Sequence, residues 1–217
     1  MKTWAIIAQK GGQSKTTLAT GFAVEAGRGG AAVVILDADD RQGSSLYWGE
    51  RREADDVMVK DSSVAALPLH VSKAAKAGTV DLVLIDTPAN SKDIASAAAE
   101  LADFVLIPAA PRGLDIHSVL QTVKQVQLSG TPFAMVLTQV PHQGTEAVEA
   151  RQIFEGRGLN VLKTALHFRK DFYRASPLGL TASELDENGK AGLELRAVFE
   201  EVKRLSDYTT KRKKGAA

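Results

Sequence analysis

The N-terminal segment places a short apolar run, a glycine-containing loop and a stretch of helical periodicity in direct succession. Residues 4–8 read Trp-Ala-Ile-Ile-Ala and predict a buried β-strand. Residues 9–17 read Gln-Lys-Gly-Gly-Gln-Ser-Lys-Thr-Thr, after which Leu18, Phe22 and Ala26 recur at helical spacing. A strand, a glycine-rich turn and a helix in this order form the setting in which a loop can bind phosphate. The segment therefore indicates an α/β fold with a polyphosphate site.

The same alternation of strands and helices continues along the chain. Apolar and β-branched residues run consecutively at 32–36, 82–85, 104–108, 133–138 and 160–166, as in strands covered on both faces. Helical spacing recurs between these runs and through 193–205, and one peripheral strand and one helix are expected within 50–80. The pattern predicts one domain over 1–217 with a doubly wound, mainly parallel sheet flanked by helices.

Composition excludes several classes of function. The chain has 217 residues, of which 44% are hydrophobic and none is cysteine. Without cysteine there is no disulfide scaffold, thiolate-held iron–sulfur cluster, Cys-ligated zinc or Cys nucleophile. No apolar run approaches the roughly 20 residues that span a bilayer, and the first apolar run is too short for a signal peptide. We expect a cytoplasmic protein that does not act at a membrane.

The charge is unevenly distributed. The whole chain carries a formal net charge of +1, yet a basic C-terminal tail is present from about residue 206. Lysines and arginines that could form a DNA-binding patch are Lys203, Arg204, Lys211, Arg212, Lys213 and Lys214, with Arg169, Lys170 and Arg174 as a possible extension. Clustered basic side chains can bind DNA phosphates without reading the sequence. A solvated chain end that binds nothing is the alternative interpretation.

The loop itself carries groups suited to a nucleoside triphosphate. Gly11 and Gly12 allow backbone N–H groups to approach phosphates closely, and the helix that follows directs its positive end at the same anion. Lys15 would reach the β and γ oxygens, while the Thr16 hydroxyl would face Mg²⁺. The plain G-x-x-x-x-G-K-T pattern is not met, since Gln9 and Ser14 occupy the outer glycine positions. A glycine turn that merely begins a helix is therefore the competing interpretation.

Acidic residues follow two of the predicted strands. Asp37, Asp39 and Asp40 come directly after 33–36, and Asp86 comes directly after 82–85. The carboxyl ends of parallel strands form the edge where such sheets bind ligands, and carboxylates there can hold Mg²⁺ through water. One such Asp alone would more often be a turn or cap residue. Several beside a lysine-bearing loop favour a catalytic site.

These motifs together resemble the ParA/MinD family of P-loop ATPases. Lys10-Gly11-Gly12-x-x-Lys15-Thr16-Thr17 is similar to the deviant Walker A motif of the family, Asp37-x-Asp39 with Gln42 to its second motif, and Asp86-Thr87-Pro88 to its Walker B motif. The order and spacing match along nearly the whole chain, and the size is most like that of short ParA-type partitioning ATPases.

The resemblance implies roles for individual residues and a P-loop NTPase fold. ATP or ADP would lie on Lys10, Gly11, Gly12, Gln13, Ser14, Lys15, Thr16 and Thr17, and the adenine near Gln139 and Pro141. Thr16, Asp37 and Asp86 would serve the Mg²⁺ ion. Lys10, Lys15 and Asp39 would be catalytic, with Asp39 positioning the attacking water and Lys10 reaching across a dimer to the partner's nucleotide.

The resemblance also implies a function. The chain is expected to be an ATPase that dimerises with ATP, binds DNA without sequence preference and partitions a plasmid or chromosome. A cargo-bound ParB-like adaptor would stimulate hydrolysis, and the protein would associate with the bacterial nucleoid. The alternative is a MinD-like or protein-cargo positioning ATPase that does not act through DNA. A membrane-cycling form is disfavoured because residues 207–217 lack bulky apolar side chains suited to an interface.

A few residues depart from the family pattern or have two interpretations. Ser14 replaces a glycine in a crowded loop, and Asp40 replaces a proline; ATP binding is expected to be retained and hydrolysis to be slow. Asp115 is expected to be an N-cap or first-turn acid of its helix, the alternative being a contact to nucleotide or partner. His117 and His142 lack partners at ligand spacing, which argues against a zinc site.

Overall fold

The computed structural model describes residues 1–209 and forms a six-stranded sheet flanked by helices. The strands are β1 (Lys2–Ile6), β2 (Val33–Asp37), β3 (Val57–Asp61), β4 (Leu82–Asp86), β5 (Phe104–Ala109) and β6 (Phe133–Leu137). They lie in the order β3-β2-β4-β1-β5-β6, and every pair is parallel. The predicted α/β fold is confirmed, including the peripheral strand expected within 50–80.

Helices connect the strands and cover both faces of the sheet. Those of the first three-quarters are α1 (Lys15–Arg28), α2 (Ser44–Arg51), α3 (Leu67–Ala77), α4 (Lys92–Leu101), α5 (Gly113–Ser129) and α6 (Glu146–Glu155). They are followed by α7 (Lys170–Ala175), a 3-10 turn (Ser176–Leu178), α8 (Ala182–Leu185) and α9 (Lys190–Leu205).

Alternate residues of the central strand enter two separate cores. Trp4 and Ile6 point to the side of α1, α2 and α9, where Trp4 packs against Phe22, Phe199 and Tyr208 at ring-centroid distances of 5.2–6.0 Å. Ala5 lies in the other core, which α3, α4, α5 and α6 cover. Burial on both faces explains why the strands are apolar at consecutive positions.

The strand predicted at 160–166 is wrong. This segment follows β6 but is not part of a continuous ladder: one isolated parallel bridge, Met135–Val161, lies within it, and a second, Val140–His167, lies just beyond it. The carboxylate of Glu201 on α9 accepts hydrogen bonds from the backbone N–H groups of Lys163 and Thr164, both at 2.8 Å. Because a side chain satisfies these two donors, the ladder is interrupted between its two bridges.

Candidate nucleotide and magnesium site

The loop between β1 and α1 wraps around a cavity at the carboxyl edge of the sheet. Gly12 and Ser14 both have left-handed backbone conformations, with φ of 71° and 65°. The cavity measures about 350 Å³, and its lining includes Gly11 to Thr17, Asp39, Gln42, Asp86, Thr87 and Gln139. The loop predicted from sequence therefore forms a concave site at the start of α1, where a helix favours anions.

Asp86 lies at the centre of the acidic side of this cavity. Its Oδ2 accepts hydrogen bonds from the Thr16 and Ser45 hydroxyls, both at 2.7 Å. Its Oδ1 is buried and has no hydrogen-bond partner among the described residues. Burial raises the pKa of Asp86 to about 6. A buried carboxylate oxygen without a donor is an acceptor suited to a cation or to water bound on a cation.

Asp37 and Asp39 occupy the turn after the neighbouring strand. Asp37 pairs with Asp86 across β2 and β4 and is fully buried. Its oxygens accept from the backbone N–H groups of Asp39 at 3.1 Å and Leu46 at 3.0 Å, and burial raises the pKa of its carboxyl. Asp39 faces the cavity and accepts from the N–H groups of Arg41 and Gln42. Asp37 thus holds the turn that presents Asp39.

Lys15 is a cation that lines the same cavity as Asp39 and Asp86. It begins α1, and its exposed fraction is 9%. Burial lowers the pKa of its ammonium group, while Asp86 and Asp39 act in the opposite direction. Because a buried ammonium group has lost its hydration, a polyanion such as a triphosphate placed beside it stabilises its charged form more than it would stabilise that of an exposed lysine.

Lys10 contacts an acid that lies far away in the sequence. Its ammonium group is hydrogen-bonded to Asp115 Oδ1, and Gln13 Nε2 donates to Asp115 Oδ2 at 3.0 Å. Gln13 Oε1 in turn accepts from the backbone N–H of Ala110 at 2.6 Å. Asp115 lies in the first turn of α5 as predicted, but it makes no capping bond and instead holds the loop. Spacing could not reveal this contact, because 105 residues separate Lys10 from Asp115.

A second cavity of about 350 Å³ adjoins the first. It shares Ser14, Thr17 and Gln139 with the phosphate cavity, and the rest of its lining comes from residues between Leu166 and Pro177, including Phe168 and Arg169. Gln139 Nε2 donates to the backbone oxygen of Gly12, whereas Pro141 is exposed and lines neither cavity. The predicted adenine contact of Pro141 is therefore not supported by its placement, and no sequence motif pointed to Phe168 or Arg169.

The proposed DNA-binding residues are distributed over the C-terminal part of the chain. Lys203 pairs with Glu200 at 3.1 Å, and Arg169 pairs with Glu194 at 2.5 Å. Arg204, Lys170 and Arg174 are exposed. The tail residues Lys211, Arg212, Lys213 and Lys214 lie outside the described residues. Part of the predicted patch is thus already neutralised by neighbouring carboxylates.

A site for Mg²⁺ fits the residues present. Within residues 1–209, no three His, Cys, Asp or Glu side chains are grouped to hold a metal. Mg²⁺ at a nucleotide, however, needs only one or two protein groups besides phosphate and water oxygens. The hydroxyl of Thr16 and the free Oδ1 of Asp86 are such groups. No helix among the described residues is both long and apolar enough to cross a membrane.

A parallel sheet with a lysine-bearing loop before its first helix, and acids after two adjacent strands, defines a P-loop nucleotide-binding ATPase. Residues 4–181 match the family model described as the CobQ/CobB/MinD/ParA nucleotide binding domain. The chain belongs to this family, as the motifs indicated.

Individual relatives support the assignment. The chain is 33% identical over 201 residues to the maintenance of carboxysome distribution protein A of Gloeobacter kilaueensis, covering 91% of this chain and 90% of that protein. Its fold resembles the ATP complex of a McdA variant from Cyanothece, with a TM-score of 0.74, 19% identity and coverage of 97% and 98% of the two chains. It also resembles the Mg-ADP complex of MinD from Pyrococcus horikoshii, with a TM-score of 0.75, 16% identity and coverage of 94% and 97%.

Proposed function

We propose that this ATPase positions a protein-bound cargo through a cycle of ATP binding, dimerisation and hydrolysis. The supporting observation is the 33% identity, over nine-tenths of both chains, to a protein named for maintaining carboxysome distribution. Of the two functions considered from the sequence, protein-cargo positioning is thereby favoured over plasmid or chromosome partition.

The geometry of the cavity supports the following proposed roles at the nucleotide. We assign phosphate binding to Lys15 and the backbone of Gly11 to Thr17, and metal binding to Thr16 and Asp86. A bound Mg²⁺ would neutralise charge that develops on the phosphates. Asp39 would orient the attacking water, and Asp37 would hold the turn that carries Asp39. Ser14, Thr17 and Gln139 border both cavities, which favours the second cavity for the nucleoside.

Lys10 is proposed to act on the nucleotide of a second protomer. Its side chain is about half exposed, at 49%, so its ammonium group can reach an anion beyond the surface of its own protomer once it leaves Asp115. Charge neutralisation by a group supplied in trans makes hydrolysis depend on dimerisation.

Lys10→Ala should retain ATP binding and lose the ATP-induced dimer. Light scattering with Mg·ATP, in an Asp39→Ala background that slows hydrolysis, measures the mass.

Lys76→Ala on α3 removes an exposed lysine far from the loop and is the matched control, expected to dimerise like the parent. A parent protein that stays monomeric with Mg·ATP would contradict the dimer. Equal dimerisation of Lys10→Ala and Lys76→Ala would contradict only the role of Lys10.

The nature of the cargo is tested in the bacterium that carries the gene. Deletion of the gene should cause the cargo, a protein assembly tagged with a fluorescent protein, to cluster or to lie at the wrong positions, while plasmid copies and chromosome origins are still evenly inherited. The Lys15→Ala variant should have the same effect as the deletion. Plasmid loss, or mis-segregated origins with normally distributed assemblies, would instead favour the partition function.

Binding to duplex DNA, nucleoid association and a cargo-bound adaptor remain proposals. If DNA is the track, ATP-bound protein should bind unrelated duplexes equally, and affinity should fall steeply with salt because counterions are released. Removal of residues 211–217 should weaken this binding while leaving ATP affinity unchanged. A mobility shift confined to one sequence, or none at low salt, would exclude a DNA track, and binding to anionic vesicles would indicate a membrane instead.

A further inference from the structure

Ser45 is a buried hydroxyl at the metal side of the phosphate cavity that no motif identified. It lies in the first turn of α2, and its exposed fraction is 0%. Its Oγ donates to Asp86 Oδ2 at 2.7 Å, the same oxygen and the same distance as the bond from Thr16. Two hydroxyls from different helices therefore converge on one carboxylate oxygen.

The two bonds leave Asp86 with a single oxygen for a cation. Oδ2 receives both donors, whereas Oδ1 is buried without a partner among the described residues. A carboxylate held at one oxygen by two fixed donors has little freedom to rotate, so the direction of its other oxygen is fixed as well. Hydrogen bonds around a metal ligand commonly set its orientation in this way.

Helix α2 is held firmly enough to position the Ser45 hydroxyl. At its start, the N–H of Leu46 donates to Asp37 at 3.0 Å. Two residues later, Trp48 is fully buried and donates from Nε1 to the backbone oxygen of Leu180 at 3.0 Å. At its end, Arg52 donates to Glu184 at 2.8 Å. Ser45 thus lies on an element fixed along its whole length.

We propose that Ser45 is a positioning residue for Mg²⁺: its hydroxyl holds Asp86 so that Oδ1 faces the metal or its water. This inference rests on the proposed Mg·ATP site and adds a residue to it. The Thr16 hydroxyl has two roles: its oxygen would contact Mg²⁺, while its O–H donates a hydrogen bond to Asp86. Ser45 has only the second role. Its removal should therefore change the orientation of the Asp86 carboxylate without removing a group that contacts the metal.

The test is the Mg²⁺ dependence of nucleotide binding. With a fluorescent N-methylanthraniloyl-ATP at fixed concentration, Ser45→Ala should raise the Mg²⁺ concentration at half-saturation about tenfold, the lower end of the effect of losing a ligand's outer hydrogen bond. Affinity in EDTA should match wild type, because Ser45 makes no phosphate contact in this assignment. An unchanged Mg²⁺ midpoint, or an equal loss in EDTA, would overturn the proposal.

Ser183→Ala is a matched control. Ser183 is also fully buried and donates to a buried carboxylate, Glu25, at 2.5 Å, on the far end of α1. It should lower thermal stability as Ser45→Ala does while leaving the Mg²⁺ midpoint unchanged. A shift with Ser183→Ala as large as that with Ser45→Ala would overturn the proposal by showing that general loosening suffices.

Two further arms keep the test decisive. In an Asp86→Asn background, Ser45→Ala should cause no additional shift, and a further shift would overturn the proposal. If Ser45→Ala does not fold, Ser45→Cys replaces it with a weaker donor, and an unchanged midpoint would overturn the proposal there too. If the nucleotide affinity of the wild-type protein does not depend on Mg²⁺, the proposed Mg·ATP site itself is wrong.

Discussion

Ser14 shows how a single residue can store strain at a binding loop. Its φ of 65° falls in the left-handed region, which costs a non-glycine residue about 1–2 kcal/mol. Its side chain makes no capping hydrogen bond that would offset this cost. The position suits glycine, which the family pattern has there.

Ser14→Gly should therefore stabilise the nucleotide-free protein by about 0.5–1 kcal/mol, the strain relieved less the added entropy of the unfolded chain. Denaturant unfolding measures the change. Ser91→Gly is the control, because Ser91 also precedes a helix without a capping bond but has φ of −115°. It should lose a few tenths of a kcal/mol. A stability loss in Ser14→Gly would show that the Ser14 side chain contributes something the contacts do not reveal.

Asp86 is a second site residue that lowers the stability of the folded protein. Burial raises its pKa from 3.8 to about 6. Because the folded-state pKa lies above the unfolded one, ionisation costs stability: the cost is absent below pH 4, grows between about pH 4 and 6, and is complete at neutral pH.

Asp86→Asn should accordingly melt at or above the wild-type temperature at pH 7.5 without nucleotide, and lose that advantage as the pH falls to 5. The same variant should bind ATP with a higher Mg²⁺ midpoint than wild type. Calorimetric scans at pH 5 and 7.5 measure the first effect. A variant that is less stable at both pH values would contradict the assigned cost.

Helix α2 illustrates how one element couples the site to the rest of the fold. At its C-terminus, Arg52 is 3% exposed, donates to both Asp56 and Glu184, and lies over the Trp48 ring at 4.9 Å. These bonds tie α2 to the segment before α9. Removal of one partner from such a network leaves the others desolvated without compensation.

Arg52→Ala should cost about 3 kcal/mol of unfolding free energy. The adjacent Arg51→Ala should cost less than about 1 kcal/mol, since Arg51 is 38% exposed and its ion pair with the exposed Glu50 is long, at 4.0 Å between Nη1 and Oε2. Denaturant unfolding of both variants tests the contrast. Similar losses in the two would show that the network adds nothing beyond a surface ion pair.

At the scale of the whole molecule, the contact between Lys10 and Asp115 opposes the proposed dimer. For Lys10 to reach a partner's nucleotide, it must leave a carboxylate that is only 1% exposed. Asp115→Asn keeps the shape and removes the charge that would be left behind. It should lower the protein concentration at which Mg·ATP dimers form by about threefold, within the range of a half-exposed ion pair. Sedimentation in an Asp39→Ala background measures this, and weaker dimerisation would contradict it.

The sequence by itself determined the parallel α/β sheet, the loop from Gly11 to Thr17 and the acids after two strands. These features are local: consecutive apolar residues report burial on both strand faces, and a motif fixes a turn between its own neighbours. It also identified the family. It misplaced a strand at 160–166, because Glu201 on α9 satisfies donors there.

Only the tertiary structure decided which distant groups meet. Ser45 reaches Asp86, and Lys10 reaches Asp115, across 41 and 105 residues. These contacts depend on the strand order, which places β4 between β1 and β2, and on the angle at which each helix leaves the sheet. Side-chain spacing along the chain carries no information about either. The residues that would contact the ligand can therefore be recognised from local motifs, whereas the residues that orient them are determined by long-range packing.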